Sequence, residues 1–516
     1  MAVGVRHRGS IVAFLALGLA GCGGSNGDSD GGATDATPPA DTTLADVASG
    51  SDAATAADGS IDATAPSDVV SPTDVVSPAD GSSAASTLRA AFHRAWRTTG
   101  TGAINGSSLR LGAWTDGDAV VSGSYSSGFD PGNGPVAGSG GAFVARFGPD
   151  GTVRWVRTGQ PVNTSILETL ADGDLVVAEN NSVARLRPDG VDRWRVSFGR
   201  QSGRLNEAWT RASTTDAQGN IVIGGILNGA ADLGGGLLIR EGQPGFIAKY
   251  SPTGQHLWSR AWSATPSMNL SRIAITADNG VVFTGGYYGA NVDFGGGALP
   301  AASSSVSRLY VAKFNASGAH QWSVSYGVPN RRLEPSALAV DADGSLVVLA
   351  RYENGTLIDL GQGPLSTQPA PGLAVMRLSG ANGSLTSARG IDWAGVSADN
   401  VNARNGTLYL TGTLARPANL GGGTLGGTYN PSAPTQIGYV VESSPSGNVT
   451  AQAAWPGRIE MSPQVRLVQI EGIGLASGGS AGLWWLAGYM GPVDLGNGVT
   501  LADSTARSIA LVRFTR

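Results

Sequence analysis

The residues most able to do chemistry recur as a set. Six segments place an Asp or Asn before a glycine-rich turn: Asp130-Pro-Gly-Asn-Gly, Asp232-Leu-Gly-Gly-Gly, Asp293-Phe-Gly-Gly-Gly, Asp359-Leu-Gly-Gln-Gly, Asn419-Leu-Gly-Gly-Gly and Asp494-Leu-Gly-Asn-Gly. Gathered into a ring, such carboxylates would be the material of a Ca2+ or polyol site. Ca2+ takes about six to eight oxygens from close range, and each segment offers one carboxylate. The residues fit a structural role better: the side chain accepts from backbone N–H groups two residues on, glycine takes positive φ, and the Leu or Phe inserts between packed units. Asp341-Ala-Asp343-Gly344 starts like a calcium loop but lacks the later ligands, so it is read as a hairpin turn. No segment has the phosphate-cradling pattern ending in Lys-Ser or Lys-Thr. No metal and no cofactor are expected.

Histidine is sparse. Beyond the N-terminal region only His93, His256 and His320 occur, and the last two each stand two residues before a tryptophan. Equivalent positions on separate units do equivalent structural work, so neither a metal centre nor a nucleophilic triad is predicted. Glycoside chemistry needs paired carboxylates. Glu334 is the nearest carboxylate candidate, with Arg272 the nearest cation, and no second carboxylate recurs beside Glu334. Two connecting segments combine Arg with aromatics: Arg200, Arg204 and Trp209 in or near one, Tyr326, Arg331 and Arg332 in or near the other. Binding patches are enriched in this mixture, so Arg200, Arg204, Tyr326, Arg331 and Arg332 are the candidate ligand contacts.

What positions these residues is a repeat. Trp155, Trp194, Trp258, Trp322, Trp393 and Trp455 close similar blocks, at intervals of 39, 64, 64, 71 and 62 residues. The block ending at Trp322 holds four short β-branched or aromatic runs: Ile273–Ile275, Val281–Gly286, Tyr310–Phe314, and the segment carrying Trp322 itself. Asp278-Asn-Gly, the glycine-rich segment and Asn315-Ala-Ser-Gly separate them, which describes a four-stranded antiparallel meander. The block ending at Trp194 lacks the glycine-rich segment and has a tight hairpin through Glu179–Ser182. Sheets this small must be covered on both faces, which radial packing around an axis achieves. Six blocks and a C-terminal one make seven. The last lacks a fourth strand, and Ala91–Trp96 is a strand with no block before it. The expected fold is therefore all-β: a seven-bladed β-propeller of four-stranded antiparallel blades over 89–516. The N-terminal strand closes the ring and removes an exposed edge. The regular tryptophans belong to blade packing rather than to a carbohydrate platform.

The Asp-x-x-Gly-Asn turn, Val-x-x-Gly strand, Asp-Leu-Gly-Gly-Gly loop, Phe-x-Ala-Lys-Tyr strand and Gly-x-x-x-Trp ending, in that order, resemble the bacterial seven-bladed β-propeller (SBBP) repeat family over roughly 90–516. The resemblance implies the fold and an extracytoplasmic setting, and no catalytic residues. The Gly-x-x-x-Trp endings are also similar to those of quinone-cofactor-type propeller repeats, including a lipoprotein scaffold of outer-membrane assembly. There the blade body departs, because here it is built around the glycine-rich loop.

Arg6 and Arg8 precede the apolar run Ile11–Leu19, followed by Leu19-Ala-Gly-Cys22. A charged start, a short apolar core and small residues describe a secretory signal over 1–21. Leu-Ala-Gly-Cys resembles the bacterial lipobox, which implies cleavage before Cys22 and lipid on its thiol. Cys22 is the sole cysteine, so no intramolecular disulfide is possible. Residues 23–88 are rich in Ala, Ser, Thr, Gly, Pro and Asp, with 11 Asp and no Lys, Arg or Glu. Apolar surface is too scarce to offset the entropy of ordering, so 22–88 is expected to be a disordered tether. The remainder holds 32 basic and 28 acidic residues, a balance that does not favour nucleic acid as a partner. Resemblance to other lipoproteins, through Gly23-Gly24 and the lack of Asp there, directs the anchor to the outer membrane. The expected function is a cell-envelope binding or scaffold module for a protein or surface polysaccharide. It is not expected to be an enzyme. The alternative is an extracytoplasmic polysaccharide-acting hydrolase or lyase with its site in the central channel.

Overall fold

The computed structural model describes residues 86–515 apart from a number of loop segments, chief among them 98–103, 105–108, 159–165, 201–206, 239–242, 328–330, 353–358, 366–371, 393–399, 426–436, 457–468 and 502–507. The signal over 1–21, Cys22 and the tether as far as residue 85 lie outside the described residues.

Seven four-stranded antiparallel sheets follow one another along the chain. Their innermost strands are Arg110–Ala113, Ile166–Thr169, Glu207–Thr215, Arg272–Ile275, Leu333–Val340, Asn400–Arg404 and Gln469–Ser477, taken as blades 1 to 7. Each innermost strand contacts those of the blades on either side, and that of blade 7 contacts that of blade 1, so the ring is closed. The two middle strands of a blade are covered on both faces. Ile221–Asn228 is almost wholly buried and Gly245–Tyr250 entirely so, which is why both read as nearly continuous apolar runs. The outermost strands, such as Val153–Thr158, are half exposed.

The seventh blade takes its fourth strand from the other end of the chain. Arg89–Arg97 pairs antiparallel with Ser508–Thr515, as the spare N-terminal strand predicted. Just before it, Ser86–Thr87 pairs in parallel with Ala451–Gln452 on the outermost strand of blade 6. The N-terminal segment therefore staples two blades.

A recurring clamp ties blade to blade. In blade 1, the third-strand Arg146 donates to Asp118 (2.7 Å) and Asp116 (3.1 Å) in the first turn of its own blade. It also reaches the Gly173 and Pro188 carbonyls of blade 2. Arg185 in blade 2 repeats this with Asp174, Asp172 and the Pro252 carbonyl of blade 3. Lys249 in blade 3 pairs with Asp216 at 2.8 Å and donates to the Ala316 carbonyl of blade 4. Arg377 in blade 5 holds Asp341 and Asp343. Blade 7 reaches blade 1 the same way, Arg513 donating to the Pro149 carbonyl. In blade 6 the equivalent position is Glu442, a reversal of charge.

The tryptophans divide into two classes, which corrects the single ladder read from spacing. Trp155, Trp194, Trp258 and Trp322 face the clamp cation across the last strand pair. Each indole N–H donates to a carbonyl in the last turn of the next blade: Pro188 (2.8 Å), Pro252 (2.8 Å), Ala316 (3.1 Å) and Gly380 (3.3 Å). Trp96 and Trp455 stand elsewhere. They face Ile509 and Gly438, each four residues before the clamp position, the place Trp262 takes opposite Gly245. Phe92 faces Arg513 instead, and Trp393 lies outside the described residues.

Candidate functional site

The glycine-rich loops are built from their own backbone. The Asp130, Asp232, Asp293 and Asp359 carboxylates each accept from two glycine N–H groups, two and four residues on, at 2.6–3.1 Å. Those glycines have positive φ, for example 103° at Gly234 and 102° at Gly236. The following apolar residue is a plug: Leu233 and Phe294 are buried, each in a cluster that joins its own blade to the one before. Instead of crowning one face, the loop folds back against the outermost strand. A Cβ at Gly235 or Gly296 would meet the imidazole of His256 or His320, which therefore serve as loop supports. Burial lowers the pKa of both histidines, against the opposing charge of Asp232 or Asp293. Among the described residues no group of three His, Cys, Asp or Glu is placed to hold a metal ion.

The five candidate contacts do not form one patch. Arg200 lies in the two-residue strand Gly199–Arg200, paired with Ala231–Asp232 of blade 3, while Arg204 is outside the described residues. Tyr326 ends the outermost strand of blade 4, and Arg331 and Arg332 follow in the connection to blade 5. Tyr326 turns out to be a strut, its hydroxyl donating to the Gly383 carbonyl of blade 5, and burial pushes its pKa up to about 12. Arg331 and Arg332 are half-buried. The Arg332 Nε sits 3.5 Å from Glu334 Oε1, each side chain about 40% exposed. Trp209 lies within the innermost strand of blade 3.

The innermost strands hold more charge than the sequence reading found. Glu334 faces Arg351 and Glu471 faces Gly488, the same register position in blades 5 and 7. Each precedes a bulge by the same number of residues, between Pro335 and Ala337 or between Gly472 and Gly474. The bulge brings a backbone carbonyl of the inner strand close to the second strand. A Cβ at Gly225 would lie 1.9 Å from the Trp209 carbonyl oxygen, so the Val-x-x-Gly pattern is a packing requirement. Matching strand positions across blades is the signal that would have exposed Glu471.

No protein-family model matches this sequence, and no curated protein sequence matches it. Three solved structures are similar to it at 10–14% identity. The Neurospora crassa Pan2 WD40 domain is 11% identical, covering 80% of this chain and 91% of that one, with a TM-score of 0.39. BamB from Moraxella catarrhalis is 10% identical over 84% of this chain and 98% of its own, at 0.36. Lignostilbene dioxygenase from Pseudomonas brassicacearum is 14% identical over 78% and 91%, at 0.38. At these identities the similarity concerns the fold alone.

Proposed function

We propose that this chain is a cell-envelope lipoprotein of the SBBP-repeat type, anchored through Cys22, whose propeller is a binding or scaffold module for a protein or surface polysaccharide. The observation that carries this reading is a division of labour. The recurrent polar residues, from the loop aspartates to the clamp cations and the indoles, are engaged in contacts within and between blades. Recognition then falls to the connections between blades, whose sequences differ from one blade to the next. The connection from Tyr326 to Leu333 is the favoured one, because it carries two adjacent arginines, Arg331 and Arg332, immediately before the innermost strand of blade 5. Surface ion pairs such as Arg332–Glu334 contribute about 0–1 kcal/mol, so replacing Arg331 and Arg332 with Ala leaves the domain folded. Purified parent and double variant, titrated against envelope polysaccharide and against cross-linked envelope proteins, test the reading. Weaker binding by the variant at an unchanged melting temperature supports it, and equal binding moves the site away from this connection.

A second reading rests on Glu334 and Glu471. Their shared register gives a channel-based hydrolase or lyase two carboxylates on innermost strands. Turnover of a glycan panel that is lost in both Glu334→Gln and Glu471→Gln would establish it.

A further inference from the structure

Three arginines enter the central channel at one level. Arg110 faces Ser122 and Arg272 faces Thr284, each partner being the fourth residue of its blade's second strand. In blade 3 the residue opposite that fourth position, Gly224, is Ala212, and Arg211 immediately precedes it as the extra residue of the bulge. The bulge leaves Arg211 unpaired with the second strand, so its side chain is not committed to either blade face. Arg110 and Arg211 are exposed although Leu109, Thr210 and Ala212 beside them are buried. Arg110 and Arg272 open the short innermost strands of blades 1 and 4, at the level that Ala337 and Gly474 hold midway along the longer ones of blades 5 and 7, and in a closed ring a residue of the innermost strand at that level meets solvent along the axis. Blades 1, 3 and 4 thus direct guanidinium groups into one layer of the channel.

Two of these charges have no opposing partner among the described residues. Among the described residues no carboxylate lies within ion-pair distance of Arg211 or Arg272. The Arg272 Nη1 donates to the Ser271 carbonyl at 2.8 Å, matching the Arg110 Nη1 bond to the Leu109 carbonyl at 2.7 Å. Burial, and then the like charges of Arg351 and Arg110, push the Arg272 pKa down to about 10, so it is still a cation at neutral pH. Burial and the charge of Arg211 lower Arg110 likewise. Enclosed walls focus such a field and raise the local concentration of the opposite charge.

We propose that the channel is a binding site for a small anion, a carboxylate- or phosphate-bearing molecule held by Arg211 and Arg272 with Arg110 as the third donor. The planar guanidinium fork suits both oxyanions, through paired N–H···O bonds that a lysine cannot reproduce. The site is independent of the connection carrying Arg331 and Arg332.

The test is calorimetric titration of the full chain with inorganic phosphate and with citrate, in chloride buffers matched for ionic strength, alongside thermal melts. Saturable binding of phosphate, of citrate or of both is expected, and which one binds more tightly separates a phosphoryl from a carboxylate ligand. Arg272→Gln and Arg211→Gln should each weaken that binding by at least about tenfold. Without anion, Arg272→Gln should melt no lower than the parent, because it removes a repelled charge; this distinguishes a ligand site from a structural arginine. Lack of saturable binding above the chloride control would overturn the proposal. So would unchanged affinity in both glutamine variants.

Discussion

Removing the Lys249 ammonium isolates one link of the clamp that joins the blades. Its Nζ lies 2.8 Å from Asp216, with the side chains 4% and 0% exposed. Burial alone would raise the Asp216 pKa, but hydrogen bonds from Lys249 and Asn220 outweigh it and hold the carboxyl below its ordinary range. Lys249→Met keeps the volume and leaves that carboxylate buried opposite a thioether. Breaking a buried pair on one side costs about 3–5 kcal/mol. At about 2.1 cal/mol/K per residue over ~430 folded residues, the melting temperature should fall by roughly 3–6 °C at neutral pH. Adding Asp216→Asn removes the stranded charge and should restore more than half the loss. The pH dependence has a definite sign. A carboxyl with a depressed folded pKa stabilises above the ordinary carboxylate range, and that contribution disappears as pH falls through the folded value. The variant's deficit should therefore shrink below about pH 4. Calorimetric melts of parent, single and double variants from acid to neutral pH decide the matter. A single variant within 1 °C of the parent, or a double variant no better than the single, would refute the idea that charge burial governs this clamp.

Three further outcomes are expected. Deleting Arg89–Arg97 strips the fourth strand from blade 7 and bares an edge. The truncated protein should melt earlier and associate in sedimentation runs, whereas a monomer with the parental midpoint would contradict ring closure as the stabilising role. Asp232→Ala removes the acceptor for the Gly234 and Gly236 N–H groups and should cost about 1–2 kcal/mol in chemical denaturation. Added Ca2+ should change neither curve, and a Ca2+-dependent gain in the parent alone would revive a metal role for these loops. Trp258→Phe keeps most of the packing but loses the indole bond to the Ala316 carbonyl, with an expected loss of about 1 kcal/mol by the same assay.

Much of this architecture was written locally. Four short runs between Gly, Asn and Asp turns could form little but a meander, and a meander covered on neither face must be packed by its copies. The count of seven and the closure by Arg89–Arg97 followed from one spare strand and one vacancy. The loop aspartates also declared their role, because an Asx residue two places before a positive-φ glycine has a backbone partner within reach.

Tertiary structure decided what no local rule reaches. Tyr326 looked like a binding aromatic until the Gly383 carbonyl of the next blade took its hydroxyl. Trp455 looked like a member of one ladder until strand register placed it with Trp262. The glycine-rich loops leave the blade between its second and third strands, yet they fold back onto His256 and His320 rather than extending from one face. The arginines of blades 1, 3 and 4 are distant in sequence, and only closure of the ring brings their innermost strands around one axis. Sequence by itself determined the repeat, because strands, turns and capping side chains act over a few residues. Which side chains face the axis, which face a neighbouring blade and which remain for a partner depended on bulges, register and the return of the N-terminal strand, interactions that exist only once the ring is closed.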